Sequence, residues 1–504
     1  MISLSHQINN IKKLNLKFVF YYLVYNFIME GNQMAKELTD VQVKELDELF
    51  EKAEAARKII ENYDQATVDR LIQKVAWAIA NKETVKYLVE KSIEESGLGD
   101  RESRNNKRFK VRGVLRDALR AKSVGVIEEI PEKGIKKYAK PVGIIASLVP
   151  TTNPVLTPAG QAIYGIKARD VLIFSPHPRA KNTTYEGVEI MRQALKELGA
   201  PEDILQCVKN PSVAMTEALM ARADLVIATG GKPMVKAAYS SGTPAYGSGA
   251  GNATMIFDNT ADPVEAAHNT MISKTSDNGS GCSADGNLVI YDEIYDEVLK
   301  NLEKEGGYKA NAEEKEKLKK VMWDEEGHRL ADTVAIPPQK LAEIAGFTIP
   351  ADRKFIFVEE ENIGKQHFFS SEKLTTLLAT FKYSGEFENA LDKMRAIYEV
   401  GGKGHSVGIY SFDEDHIHRL AMAAPVSRIM VRQPQSKANS GSATNGMPMT
   451  SSMGCGTWGG NIVSENVSLK HYMNTTWVSV PIPRDMPSDK ELFGEFYVAE
   501  LAED

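Results

Sequence analysis

The chain has 504 residues, 42% of them hydrophobic and 26% charged, with a formal net charge of −7. That length accommodates more than one domain, and the composition is that of a globular chain, not a disordered or membrane-embedded one. The acidic balance argues against nucleic acid as a partner, and three cysteines, an odd number, suit a reducing cytoplasmic setting rather than a disulfide framework.

Residues 1–33 differ in texture from the rest. Lys12, Lys13 and Lys17 precede an apolar run over 18–28 that is too short to span a bilayer, and Met29-Glu30-Gly31 makes a poor cleavage site. The segment reads as an extension, disordered or mis-started, with Met29 or Met34 as the true beginning. Thr39-Asp40-Val41-Gln42 fits a capping box, and Val43, Leu46, Phe50, Ala53 and Ile60 then mark one apolar helix face. Helical sequence continues to about Lys122. Its basic cluster from Arg101 onward alternates with Val111, Val114, Leu115, Ala118 and Leu119 and reads as a solvated helix face.

After a hairpin-like stretch at 124–139, short apolar runs separated by helices begin. Residues 143–149, 171–174, 204–208 and 225–228 read as strands, with helices over 184–198 and 213–222 between them. Such alternation predicts a parallel sheet covered on both faces, with ligands at the carboxyl ends of its strands. Ser175-Pro176-His177-Pro178-Arg179 follows one strand. Thr229-Gly230-Gly231-Lys232-Pro233 follows another and opens a helix whose free N–H groups suit a phosphate. Two glycines in such a turn are common and identify no ligand by themselves. Next comes Tyr246-Gly247-Ser248-Gly249-Ala250-Gly251-Asn252, a glycine run ending in an amide.

A second α/β series follows Asp258, with strands expected over 288–290, 355–358 and 429–431. Before its first strand lies Ser276-Asp277-Asn278-Gly279-Ser280-Gly281-Cys282-Ser283, in which small neighbours leave a thiol open to a substrate. Cys207 sits inside an apolar strand and reads as core, whereas Cys455 is also flanked by glycines and stays open as a nucleophile on local grounds. His405 reads as a structural histidine, Asp415-His416-Ile417-His418 as a surface helix, and 433–460 as extended loop. No His, Cys, Asp and Glu set has metal-ligand spacing, so no metal is expected.

On the runs around Gly249–Asn252, Cys282, Gly404-His405-Ser406 and 454–467, the chain resembles the aldehyde dehydrogenase superfamily, and more narrowly its CoA-acylating branch. The resemblance covers nearly everything from Thr39 onward. It implies an α/β, aldehyde dehydrogenase-like fold with a Rossmann-type cofactor domain (34–123 and 140–257), an α/β catalytic domain (258–470) and a β oligomerisation extension (124–139 and 471–504). It implies Cys282 as nucleophile, with Asn153 and the Cys282 N–H as oxyanion donors. Thr229, Gly230, Gly231, Ser175, His177, Arg179, Gly249 and Glu372 become cofactor-binding residues, Glu372 on the nicotinamide ribose. The cofactor is NAD or NADP, since Arg179 suits a 2′-phosphate and no carboxylate stands ready for the free hydroxyl.

In the hydrolytic branch a glutamate stands where Asn252 stands here. An amide is no general base near neutral pH, so the thioacyl-cysteine is expected to pass to CoA and not to water. The resemblance further implies a short aldehyde, acetaldehyde or sulfoacetaldehyde, as substrate, and a homodimer or homotetramer. A sulfonate calls for a cationic or donor-rich pocket, for which 435–445 with Lys437 is a candidate. Two other readings, a hydrolytic dehydrogenase giving the free acid and a non-catalytic cargo protein on the same fold, are separated from this one by CoA dependence and by the need for Cys282.

Overall fold

The computed structural model describes residues 37–501; the extension expected over 1–33 lies outside them. The helix Asp40–Ile60 opens on the expected capping box, with Thr39 Oγ1 accepting from the Gln42 N–H and Gln42 Oε1 from the Thr39 N–H. Leu46, Phe50, Ala53 and Ile60 are buried, while Val43, in the first turn, stays exposed. Helices Gln65–Ala80, Lys82–Ser96, Arg101–Asn106 and Arg108–Arg120 follow. The basic stretch they carry is not a uniformly solvated face: Arg104 is only 3% exposed and Lys107 and Lys110 are half-buried, because each finds acceptors in another part of the fold.

Strands β1 (Gly125–Ile130) and β2 (Ile135–Pro141) form an antiparallel hairpin. The chain then enters a five-stranded parallel sheet of β3 (Ile144–Val149), β4 (Val171–Pro176), β5 (Leu205–Cys207), β6 (Leu225–Thr229) and β7 (Ala245–Ser248), in the order β5-β4-β3-β6-β7. β3 and β4 are buried at every position, as strands covered by helices on both faces must be. The order reverses between β3 and β6, and a crevice for ligands opens at such a switch point beyond the strand carboxyl ends.

The second sheet has seven parallel strands: β8 (Thr254–Phe257), β9 (Asn287–Tyr291), β10 (Gly307–Lys309), β11 (Phe355–Glu359), β12 (Leu377–Tyr383), β13 (Val407–Tyr410) and β14 (Ile429–Val431). Their order is β10-β11-β12-β9-β8-β13-β14. Two apolar clusters cover its faces, one around Phe381, Tyr398 and Trp323 and the other around Phe257, Phe355 and Tyr410. Finally β15 (Met473–Ser479) pairs antiparallel with β2, giving a separate three-stranded sheet β1-β2-β15. Most of β15 and the chain after it is exposed, including Trp477, Val480, Ile482, Leu492 and Phe496. Among the described residues, no helix is long and apolar enough to cross a membrane.

Candidate active site

Two sets of strand ends build the site. From the carboxyl ends of the first sheet come Asn153, just after β3, Ser175 and His177 at β4, Thr229 to Gly231 at β6, and Gly249 after β7. From the amino ends of the second sheet come Asn252 before β8, Cys282 before β9, Glu372 before β12, His405 before β13 and Arg428 before β14. A parallel sheet delivers all its strand ends of one kind to one edge, so residues far apart in sequence share a rim.

Cys282 is half-buried, whereas Cys207 and Cys455 are buried. The Cys282 Sγ lies 3.0 Å from His405 Nε2. His405 is buried, its Nδ1 lies 2.9 Å from Ser406 Oγ, and Arg428 Nη1 donates to its carbonyl at 3.2 Å. Burial and the nearby Glu372 carboxylate push the thiol up to about 12, against a smaller opposing pull from Arg428. Burial and the Arg428 cation hold the imidazole down at about 3. The pair at rest is therefore a neutral thiol beside a neutral imidazole, and the thiol must lose its proton as it attacks. Gly251 packs against the same loop: a Cβ there would stand 1.9 Å from the Cys282 carbonyl oxygen.

Asn153 is held by its oxygen. Lys107 Nζ donates to Asn153 Oδ1 at 2.7 Å, to the Thr152 carbonyl at 3.3 Å and to Asp277 Oδ2 at 2.7 Å. Neither the Asn153 Nδ2 nor the Cys282 backbone N–H donates elsewhere among the described residues, so both remain for an oxyanion. Asp277, five residues before Cys282, also accepts from Arg104 Nε at 3.1 Å, Ser280 Oγ at 2.9 Å and the Asp100 N–H at 3.0 Å. Burial would raise its carboxyl, but Lys107 and Arg104 together hold it well below the usual carboxylate range. Asp277 and Asn278 adopt left-handed backbone, at φ 51° and 53°, an unfavourable state for residues with a Cβ that these contacts stabilise.

Asn252 is bonded at both ends of its amide. Its Oδ1 accepts from Asn287 Nδ2 at 2.9 Å, and its Nδ2 donates to the carbonyls of Ser370 (2.8 Å) and Gly401 (3.2 Å). Lys373 Nζ in turn donates to Asn287 Oδ1 at 2.7 Å. The position carries an amide held through both its oxygen and its nitrogen.

Of the residues expected to hold a dinucleotide, all but Glu372 belong to the first sheet's strand ends; Glu372 reaches Gly251 from the second. The helix Lys232–Ser240 starts at Gly231 with no side-chain cap and Pro233 in its first turn, so its first N–H groups are free for a phosphate. Ser248 Oγ is buried without a partner, and Thr229 Oγ1 lies 2.6 Å from Ser452 Oγ. Glu372 Oε1 accepts from the Gly251 N–H at 3.0 Å, with burial raising its carboxyl to about 7. His177 Nδ1 accepts from the Arg179 N–H at 3.2 Å, Arg179 Nη2 donates to the Ser96 carbonyl at 2.9 Å, and Ser175 Oγ lies 2.9 Å from Thr216 Oγ1. The uncapped helix and the unpartnered hydroxyl fit a bound dinucleotide.

The model of the aldehyde dehydrogenase family matches residues 29–316. The chain belongs to that family. It is 41% identical over 452 residues to a sulfoacetaldehyde dehydrogenase of an Acholeplasma species, covering 89% of this chain and 93% of that one. It is 38% identical over 462 residues to an acylating sulfoacetaldehyde dehydrogenase of Bilophila wadsworthia, covering 90% and 99%. The crystal structure of an acetylating aldehyde dehydrogenase from Geobacillus thermoglucosidasius superposes with a TM-score of 0.85 at 36% identity, covering 90% of this chain and all of that one.

Within this aldehyde dehydrogenase, the sequence reading differs from the structure at three places. His405, which reads from its sequence as a structural histidine, sits against the Cys282 thiol; 123 residues separate the two, and no local pattern links them. The pairing of Lys107 with Asp277 has no local signal, because 170 residues separate them. The loop over 435–445 is not a free donor-rich pocket. Gln435 is bonded to Thr254 and Asp285, Asn439 to Ser406, Lys437 to Ser276, and Asn445 to Gln433 and Ala438.

In cofactor-free protein, iodoacetamide alkylation of Cys282, read by peptide mapping, should climb about tenfold per pH unit from about pH 7 to 10 without levelling; levelling below about pH 8 would reveal a resting thiolate. Gly251→Ala should lower kcat by at least about 100-fold with the circular dichroism retained, because the new methyl displaces the Cys282 carbonyl. A fully active variant would contradict the packing of the two loops.

Proposed function

We propose that this chain is a CoA-acylating aldehyde dehydrogenase, converting a short aldehyde, CoA and NAD(P)+ reversibly to acyl-CoA and NAD(P)H. The observation that carries the reading is the amide of Asn252, hydrogen-bonded through both its oxygen and its nitrogen: where a water-activating base would stand there is a group that cannot take a proton near neutral pH. The acylating and acetylating relatives support the same reaction.

Cys282 adds its sulfur to the aldehyde carbon while its proton moves to His405 Nε2. The oxygen gains charge and is met by the Asn153 Nδ2 and the Cys282 N–H. A bound oxidised nicotinamide supplies the hydride acceptor, and Glu372, Thr229, Gly230, Gly231, Gly249, Ser175, His177 and Arg179 are the residues we assign to holding the dinucleotide. Loss of hydride leaves a thioester on Cys282. The CoA thiol, its proton passing to solvent, then attacks it, forming the new C–S bond as the bond to Cys282 breaks, and His405 returns the proton it took from Cys282 to the departing sulfur.

Sulfoacetaldehyde is the substrate we favour over acetaldehyde, on the strength of the two relatives. We assign 34–123 and 140–257 to the dinucleotide-binding unit, 258–470 to the catalytic unit, and 124–139 with 471–504 to an oligomerisation extension. The exposed Trp477, Val480 and Phe496 on the last segment suit burial against a second copy in a homodimer or homotetramer. Three free cysteines suit a cytoplasmic enzyme.

Product analysis tests the reaction. With NAD or NADP and sulfoacetaldehyde, turnover should require CoA and yield the thioester. Free acid released at the same rate with and without CoA would contradict the reading.

A further inference from the structure

His405 faces the Cys282 sulfur through Nε2, and a serine and an asparagine stand behind the ring. Ser406 Oγ lies 2.9 Å from His405 Nδ1. Asn439 Nδ2 donates to that same hydroxyl oxygen at 2.8 Å and to Gln435 Oε1 at 3.4 Å. His405, Ser406, Gln435 and Asn439 are all wholly buried, so bulk water cannot replace a lost partner.

The chemistry of the ring says what the hydroxyl is for. Nε2 can accept the Cys282 proton only while the ring's own hydrogen sits on Nδ1. Once that proton has moved, both nitrogens carry hydrogen. In both states Nδ1 donates, and Ser406 Oγ is the acceptor within reach. The bond from Asn439 takes one lone pair of the hydroxyl and leaves the other for Nδ1. A buried, charged N–H without an acceptor is strongly unfavourable, so loss of the hydroxyl would weaken His405 as a base.

The backbone of this segment is held by other groups. Arg428 Nη1 donates to the His405 carbonyl at 3.2 Å, and Tyr398 Oη to the Ser406 carbonyl at 2.7 Å. Arg428 Nε donates to Asn466 Oδ1 at 3.0 Å, and Asn466 Nδ2 in turn to the Asn439 carbonyl at 3.0 Å. The Ser406 side chain is therefore free to serve the ring. It is also neutral: a carboxylate in its place would draw a proton onto the ring at rest, whereas a hydroxyl leaves the uncharged imidazole that a base must be.

We propose that Ser406 is a positioning residue, completing a Cys282–His405–Ser406 relay in which its hydroxyl accepts from Nδ1 while His405 carries the Cys282 proton, with Asn439 fixing the hydroxyl. The inference rests on the CoA-acylating reading above and adds what makes its base competent. As the sulfur attacks, the S–H bond breaks, the proton bonds to Nε2, and the freed electron pair forms the bond to the aldehyde carbon. The proton returns to the sulfur when Cys282 departs from the thioester.

Single-turnover formation of NAD(P)H tests the relay, using whichever of sulfoacetaldehyde and acetaldehyde the wild type oxidises faster. Ser406→Ala should lower the rate at saturating aldehyde by at least about 10-fold, with steady-state KM for aldehyde and dinucleotide within about 2-fold of wild type. In a His405→Gln background the same substitution should change the rate by less than about 2-fold, because the hydroxyl acts only through the ring. Asn439→Ala, one bond further out, should repeat the pattern with a smaller loss, and it carries the test if Ser406→Ala does not fold. A Ser406→Ala rate within about 2-fold of wild type overturns the relay, and so does an equal loss in both backgrounds. The CoA-acylating reading falls separately, if wild-type turnover yields no acyl-CoA.

Discussion

The buried carboxylate of Asp277 is the constraint on which the site depends. It accepts from Arg104 and Lys107 of the amino-terminal helices and from Ser280 of its own loop. Through Lys107 it fixes the oxygen of Asn153, and through its own strained turn it fixes the approach of the chain to Cys282. Cys282 and Asn153 come from different sheets, and this ion-paired junction joins them. Removing one partner of such a pair leaves a buried charge uncompensated, at a cost of about 3–5 kcal/mol, so the alignment is strongly held.

A second consequence concerns which acceptor the thioester meets. Cys282 and His405 form a neutral pair in a desolvated setting, so in the mechanism we propose proton transfer accompanies attack and is reversed on release of the product. The neighbouring Asn252 does not simply lack a carboxylate. Its amide is one link in a chain from Lys373 through Asn287 to the carbonyls of Ser370 and Gly401. Both heteroatoms of that side chain are bonded, tying the amino end of β8 to that of β9 and to the segments that lead into β12 and β13, and an amide so placed offers water no base. A thiol has less need of one than water does.

Much of this was legible in the sequence because the signals are local. The strands at 143–149, 171–174 and 225–228, the helix over 213–222, and the Thr39 capping box each follow from a few neighbouring residues, and the structure has them. The family was legible from the small-residue runs around Cys282 and Gly249. What could not be read were pairings across long sequence separation. The helical spacing from Arg101 to Lys122 is real, yet Arg104 and Lys107 turn inward because Asp277 waits for them, and no pattern within the helix carries that information. The Ser- and Asn-rich loop at 435–445 reads as open by composition, but its polar groups satisfy buried partners. Periodicity reports which face can be wet; it does not report which polar residue has found a distant partner.

The account turns on a carbon held by the sulfur of Cys282 until CoA removes it. The direct measurement is mass spectrometry of the enzyme quenched after mixing with sulfoacetaldehyde and oxidised cofactor, with CoA withheld. The peptide bearing Cys282 should carry one acyl group, which stays in place until CoA is added and then appears as the CoA thioester. An acyl group on Cys455, or none on any cysteine while reduced cofactor accumulates, would contradict the account.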